Sequence, residues 1–161
     1  MAKTKNDKKK VYVNEHKKRK EDGKYKTAII YRSFFGTTKR YAERLHKEIE
    51  ADIYKHNQID ELSLLKYDLV ILCAGTYAGW ISLGGYLKKH WRVLQDGRVI
   101  LIVIGAAPVD APWSIRSYEK IPEPIRRGIK YFKLPSKIGS RGADKVRKEN
   151  LAPITEYIKS I

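Results

Sequence analysis

Hydrophobic residues along the chain form short continuous runs, and between these runs they recur at helical spacing. The two longest runs, Tyr67–Ala74 and Val99–Gly105, are rich in Val, Ile and Leu. Such runs are typical of central parallel strands that helices cover on both faces. Shorter runs at Ala28–Tyr31, Asp52–Tyr54 and Gly128–Leu134 predict three further strands, which gives five strands in all.

The stretches between the strands carry apolar residues at intervals of three and four. This spacing predicts helices over Thr38–Glu50, Leu83–Leu94 and Lys145–Ile161, with Pro153 starting or kinking the last one. A short helical turn is predicted over Ile59–Leu65. Because strands alternate with helices, we expect an α/β fold with a doubly wound parallel sheet and helices on both faces. Five strands of this kind favour the strand order 2-1-3-4-5.

The chain of 161 residues has room for one domain. Residues 1–26 contain eleven basic and four acidic side chains, and their only cluster of apolar side chains is Val11–Val13. We therefore expect residues 1–26 to be a basic extension that is mobile or loosely docked, and residues 27–161 to form the domain.

Charge is the most unusual feature of the composition, with a formal net charge of +16. Such a field attracts phosphates, acidic proteins, anionic lipid or nucleic acid, although a solvated tail that serves solubility is an equal alternative. The single cysteine, Cys73, excludes an intramolecular disulfide. No apolar run is long enough for a transmembrane segment. We expect a cytoplasmic protein that can lie at the periphery of a membrane through contact of its basic extension with an anionic surface or an acidic protein.

The loop after the first strand has the chemistry of a phosphate site. It carries three hydroxyl groups and one glycine: Ser33, Phe34, Phe35, Gly36, Thr37 and Thr38. The helix that follows adds unpaired N–H groups and a partial positive charge. We expect the Thr38 hydroxyl both to cap this helix and to donate to a phosphate; an ordinary helix cap is the alternative reading of the loop.

The loop after the third strand suits a flat heteroaromatic ligand, because its glycines allow close approach and its aromatic rings offer stacking. Its residues are Gly75, Thr76, Tyr77, Ala78, Gly79 and Trp80. A glycine-rich turn with surface aromatics is the alternative. Both loops lie where the strand order reverses, which is where open parallel sheets bind ligands. The long stretch Ala106–Pro124 is predicted to be an irregular lid over the same pocket.

These residues resemble the signature of the flavodoxin family, aromatic–x–Ser/Thr–x–x–Gly–x–Thr–x–x–x–Ala. Every specified position of that signature is matched here: Tyr31, Ser33, Gly36, Thr38 and Ala42. The similarity extends over Thr27–Ile161. The stretch Ile121–Gly139 also resembles a subfamily that includes menaquinone-dependent protoporphyrinogen oxidase and uncharacterised relatives.

Resemblance to flavodoxins implies non-covalently bound FMN. By that resemblance, the loop from Ser33 to Thr38 would hold the phosphate and the loop from Gly75 to Trp80 would border the isoalloxazine ring. The Ala78–Gly79 peptide would face flavin N5. The pyrimidine side would be bordered by Gly105, Ala106 and Ala107, and the ring would be covered by Trp113 or Tyr118.

The implied function is electron transfer through FMN, with a redox partner protein or a quinone-like small molecule as partner. Two alternatives stay open: a quinone-dependent oxidoreductase of the protoporphyrinogen oxidase type, and a flavin-free interaction module with the same fold. The sequence leaves open whether the protein is an enzyme, and it does not exclude nucleic acid as a partner. No spacing of its four histidines suggests a metal site. Because positive charge favours an anionic reduced flavin, we do not expect a low-potential carrier.

Overall fold

The computed structural model describes residues 25–136 and 147–161. In these residues the strands are β1 (Thr27–Tyr31), β2 (Asp52–Lys55), β3 (Leu69–Tyr77), β4 (Trp80–Ile81), β5 (Arg98–Gly105) and β6 (Ile129–Pro135). The helices are α1 (Thr37–Glu48), α2 (Glu61–Leu64), α3 (Gly84–Leu94), α4 (Pro112–Glu119), α5 (Glu123–Arg127) and α6 (Lys148–Ser160).

Five of the strands form a parallel sheet in the order β2-β1-β3-β5-β6. The short strand β4 lies off this path, where it pairs antiparallel with the end of β3. Without β4, the order is 2-1-3-4-5, so the predicted α/β architecture is confirmed. The reversal of strand order lies between β1 and β3, and the loops that follow these two strands therefore meet at one edge of the sheet.

Helices cover both faces of the sheet and create two hydrophobic cores. Helices α1 and α6 pack on the face that contains Ile29, Ile71 and Ile102. Helices α2, α3 and α5 pack on the opposite face, with Ile30 and Leu101. Because both faces are buried, the central strands need apolar residues at nearly every position, which explains the continuous runs in the sequence.

The single thiol belongs to this core. Cys73 in β3 is 1% exposed, and burial raises the pKa of its thiol to about 12. A neutral, inaccessible thiol of this kind is inert. Cys73 is therefore a small apolar strand residue.

The expectation of an irregular stretch over Ala106–Pro124 is wrong. This segment contains all of α4 and the start of α5. Pro112 and Pro124 each lie in the first turn of their helix. The first helical positions have no intrahelical acceptor for their N–H groups, so proline is tolerated there and its fixed φ suits the helix.

One further detail differs from the sequence prediction. Helix α6 begins at Lys148, so Pro153 lies inside the helix and does not start it. Most of the basic extension, residues 1–24, lies outside the described residues, whereas Lys26 is joined to the domain. Its N–H donates to Asp68 Oδ2 at 2.7 Å, and its carbonyl accepts from the Asp68 N–H at 2.8 Å. In the described part of the chain, no helix combines the length and the hydropathy that crossing a membrane requires.

Candidate functional site

A cavity of about 720 Å³ lies at the carboxyl ends of β3, β5 and β6 and at the N-terminus of α1. This volume is in the range of sites that bind small molecules and cofactors. The cavity therefore lies at the position that the topology of the sheet favours for a ligand.

Most of the residues predicted for the site line this cavity. They are Phe35, Thr37, Thr38, Gly75, Thr76, Tyr77, Ala78, Gly79, Gly105, Ala106 and Ala107. The four other predicted residues, Ser33, Phe34, Gly36 and Trp80, are not part of the lining. They belong to the same two loops as the lining residues, and both loops contribute to the one cavity.

The loop after β1 turns into α1 through Gly36. This glycine is the N-cap, has a φ of +90°, and makes no side-chain cap. Its N–H donates to Ser33 Oγ at 3.0 Å, which closes the turn. The expectation that Thr38 caps the helix is therefore wrong. Thr38 is the second residue inside α1, is 3% exposed and borders the cavity.

Tyr77 connects the loop after β1 to the loop after β3. Its hydroxyl oxygen accepts from the Phe34 N–H at 3.3 Å, and its ring meets the Phe34 ring edge-on with centroids 4.4 Å apart. The same ring lies over Gly75, where a Cβ would come within 2.9 Å of it. Gly75 thus gives Tyr77 the space to join the two loops.

A tight hairpin between β3 and β4 places its backbone at the cavity. Tyr77 pairs with Trp80, and the two residues between them, Ala78 and Gly79, have φ values of +47° and +80°. Positive φ at both central residues is the mark of a type I′ hairpin turn, and it strains a non-glycine residue such as Ala78. Lys120 fixes the turn, because its Nζ donates to the Gly79 carbonyl at 2.9 Å and lies 3.9 Å from the centre of the Trp80 ring.

Helix α4 forms a wall of the cavity that the sequence prediction treated as an irregular lid. Trp113, one of the two residues predicted as ring covers, lines the cavity and is 68% exposed. Tyr118, the other one, stacks on Tyr131 with centroids 4.3 Å apart and is not in the lining. Ser114 and Ser117, one helical turn apart, also face the cavity. Their spacing of three positions is typical of a helix, but nearby prolines make a helix harder to predict from the sequence.

Lys133 is the lining residue that sequence reasoning missed most completely. It is half-buried in β6, its Nζ lies 3.4 Å from Ser114 Oγ, and burial lowers the pKa of its ammonium group. Nearby, the buried hydroxyl of Thr76 has no hydrogen-bond partner among the described residues. No acidic residue in the described part of the chain lines the cavity. The site therefore suits a ligand with a flat aromatic part and negative charge.

Comparisons with known proteins agree with this geometry. Residues 28–134 match the family described as flavodoxin domain. The search of curated proteins found no match.

Among solved structures, the chain is similar to two-electron reduced flavodoxin from Megasphaera elsdenii, with 11% identity and a TM-score of 0.56 over 84% of this chain and 99% of that one. It is similar to oxidised flavodoxin 2 from Bacillus cereus, with 17% identity and a TM-score of 0.54 over 83% of this chain and 94% of that one. Rubredoxin oxygen:oxidoreductase from Desulfovibrio gigas has 14% identity and a TM-score of 0.58, over 84% of this chain and 35% of that one. These likenesses show the fold.

Proposed function

Because the chain belongs to the flavodoxin domain family, we propose that it binds FMN non-covalently in the cavity and transfers electrons through it. One observation carries the proposal. A single cavity joins the N-terminus of α1, the Ala78–Gly79 turn and the segment Gly105–Ala107. A phosphate, an isoalloxazine ring and the pyrimidine edge of that ring need these three kinds of surface in one place.

The phosphate would lie at the N-terminus of α1. The Thr37 and Thr38 hydroxyls line the cavity there, beside the positive end of the helix dipole. Gly36 leaves the space in front of the turn open, since a Cβ on it would meet no atom within 4 Å. Among the described residues, the cavity has one such loop and no second one for the adenosine half of FAD. FMN is therefore the form of flavin that we propose.

The ring would lie between the Ala78–Gly79 turn and the segment Gly105–Ala107, with Trp113 at its exposed side. Bound FMN would supply the redox chemistry by accepting and returning electrons. The residues of this chain bind and orient it: the hairpin turn presents backbone groups to the ring, and Tyr77 and Lys120 hold that turn in place. The large exposure of Trp113 leaves it free to stack on an aromatic surface.

A second candidate function is quinone-dependent oxidation of the protoporphyrinogen oxidase type. It is favoured by two apolar side chains of the cavity lining that face solvent, since Phe35 is 84% exposed and Trp113 is 68% exposed. A flat apolar substrate has a surface on which to approach the flavin there. In each of the three two-electron steps of such a reaction the substrate loses two electrons and two protons, and one quinone accepts both to become a hydroquinone.

Purification of the protein with its bound cofactor tests the proposal. We expect a yellow protein with a flavin absorption spectrum, and mass spectrometry of the released cofactor should find one FMN per chain. Stoichiometric FAD would contradict the choice of FMN. Failure of the apoprotein to bind added FMN would favour the flavin-free interaction module. Assays with a panel of quinones, nicotinamides and protoporphyrinogen distinguish an enzyme from an electron carrier.

A further inference from the structure

The amino group of Lys133 is a cation at the edge of the cavity that no other described residue neutralises. We propose that Lys133, together with the Ser114 hydroxyl, provides the counter-charge for the reduced cofactor, so that it strengthens the binding of reduced FMN relative to that of oxidised FMN. This inference rests on the proposed function and deepens it. It assigns to one residue the redox state that the site favours.

The position of Lys133 relative to the site follows from the sheet. Lys133 lies beside Val103 across the β5–β6 pair, and its side chain runs toward the end of β5. Its Nζ is 2.9 Å from the point where a Cβ on Gly105 would lie. Gly105 begins the segment proposed for the pyrimidine side of the ring. The ammonium group therefore lies at that side of the cavity, beyond the carboxyl end of β5.

The surroundings of Lys133 lack the groups that usually neutralise a half-buried lysine. Within the described part of the chain, no carboxylate lies within 4.0 Å of its Nζ. Its hydrogen-bond partner there is Ser114 Oγ. The Thr76 hydroxyl, which is buried and without a partner among the described residues, is also within 3.0 Å of the same Gly105 point, so it is at most 5.9 Å from Lys133 Nζ. A cation and a hydroxyl thus lie together where an anionic ligand atom can meet both.

The charge on the cofactor is what selects between its redox states. Two electrons from a donor and one proton from water convert the neutral isoalloxazine ring into an anion, whose negative charge lies on the pyrimidine part. A fixed cation at that edge stabilises the anion more than the neutral ring, and the low polarity of a half-buried site strengthens the effect. By linkage, tighter binding of the reduced form raises the reduction potential by the same free energy.

The rival explanation is that Lys133 binds the phosphate. The phosphate carries the same charge in both redox states, so a lysine on it would strengthen the binding of both forms equally. The ratio of the two dissociation constants separates the two explanations. A merely structural role of Lys133 would also leave this ratio unchanged.

The test replaces Lys133 with Met, which keeps the length of the side chain and removes its charge. The FMN dissociation constant is measured by fluorescence titration of the oxidised cofactor and by anaerobic titration after reduction with dithionite. We expect K133M to weaken the binding of reduced FMN at least tenfold more than that of oxidised FMN. A tenfold change in the ratio of the two dissociation constants corresponds to a fall of about 30 mV in the two-electron reduction potential. Spectroelectrochemistry measures this potential independently.

The matched control is Lys130→Met, on the same strand. Lys130 is exposed and lies over the rings of Phe132 and Tyr157, away from the cavity lining, so its replacement should change the ratio less than twofold. Lys133→Arg keeps the charge, and its ratio of dissociation constants should stay within threefold of that of the unmodified protein. If K133M fails to fold, Lys133→Gln, which also removes the charge, takes its place with the same expected result. If K133M weakened the binding of oxidised and reduced FMN equally, or if K133R changed the ratio of dissociation constants tenfold, this inference would be overturned and the proposed function would stand. Absence of FMN binding in the unmodified protein would overturn the proposed function with it.

Discussion

Glycines at the two ends of the parallel sheet have different neighbours. At the amino ends of β5 and β6, glycines allow close packing: a Cβ on Gly97 would lie 2.9 Å from the Asp68 carbonyl oxygen, and one on Gly128 would lie 2.6 Å from the Trp91 ring. At the carboxyl ends, a Cβ on Gly36 would meet open space, and one on Gly105 would meet the Lys133 and Thr76 side chains. The neighbours at the amino ends are backbone and a packed ring, whereas Gly36 faces open space and Gly105 faces the flexible ends of two side chains.

Polar groups at the two ends also have different neighbours. At the amino end, the Asp68 carbonyl accepts from the Arg98 N–H at 2.9 Å, while Asp68 and Lys26 exchange hydrogen bonds. At the carboxyl end, the described residues leave the Lys133 amino group without a carboxylate and the Thr76 hydroxyl without a partner. Since buried polar groups without partners are costly, a ligand in the cavity that bonds to the Thr76 hydroxyl would remove such a cost.

Among changes at the carboxyl end of the sheet, where the cavity lies, Thr38→Val should have the largest effect on FMN affinity. The substitution preserves the shape of the side chain and removes its hydroxyl from the proposed phosphate site. Loss of a charge-assisted hydrogen bond should weaken FMN binding by about 1.5–3 kcal/mol, measured by fluorescence titration. Thr38→Ser, which keeps the hydroxyl, should be nearly silent. Unchanged affinity in the valine variant would place the phosphate elsewhere.

At the amino end of the sheet, Gly97→Ala should lower the stability of the domain without changing its affinity for FMN. Its Cβ would press on the backbone at Asp68, which cannot move aside as a side chain can. Such overpacking should lower the free energy of unfolding by about 1–3 kcal/mol, measured by denaturation in urea, while the folded variant keeps its FMN affinity.

Gly85→Ala is the matched control for this substitution. Gly85 lies in α3 with open space around it, so a Cβ there should stabilise the protein by about 0.5 kcal/mol. A loss of FMN affinity in the Gly97 variant without a loss of stability would mean that the two ends are not separate in function.

The sequence allowed the fold to be predicted because local patterns determine most of it. Central strands such as β3 are buried on both faces, so their apolar runs are visible without any tertiary information. Helix α4 is difficult to predict because prolines surround it and proline breaks a helix interior, whereas Pro112 stands at a helix start, where proline is favoured. The two-residue strand β4 was missed because it is defined by its pairing with Thr76 and Tyr77.

The site was predictable where its residues follow one another in the chain, as in the loops from Ser33 to Thr38 and from Gly75 to Trp80. It was not predictable where distant elements meet. The amino group of Lys133 reaches the cavity because β6 lies beside β5 and α4 packs across their ends. Likewise, the bond between Tyr77 and Phe34 joins residues 43 positions apart. Contacts between residues so far apart in the chain leave no pattern in the local sequence.

A smaller effect on FMN affinity is expected for Gly105→Ala, at the carboxyl end of the sheet. The added Cβ would meet the ends of two side chains, Lys133 Nζ at 2.9 Å and Thr76 Oγ1 at 3.0 Å, and these can shift toward the cavity. We expect FMN affinity to fall about tenfold, equivalent to about 1.4 kcal/mol, with the free energy of unfolding nearly unchanged. Denaturation and titration of the same sample measure both. If stability fell while affinity did not, the role of Gly105 would be to allow close packing, as that of Gly97 is at the amino end of the sheet.

The smallest effect on the folded domain is expected from removing residues 1–24, which lie outside the described residues. They carry ten basic and four acidic side chains, and exposed charges contribute little to a packed core. We expect their deletion to leave the melting temperature and FMN affinity nearly intact. Removing Tyr25 and Lys26 as well should lower the melting temperature, because the Lys26 N–H then no longer donates to Asp68.

The role proposed for residues 1–24 is attraction to an anionic surface. Their charges act over about 8–10 Å at physiological salt. In a co-sedimentation assay, their deletion should therefore weaken association with vesicles that contain anionic lipid at low salt, and should have no effect with neutral vesicles. Association that stays constant from low to high salt would remove the electrostatic role. A marked fall in melting temperature after removal of residues 1–24 alone would show that Val11–Val13 docks on the domain, and the amino end of the sheet would then include part of the extension.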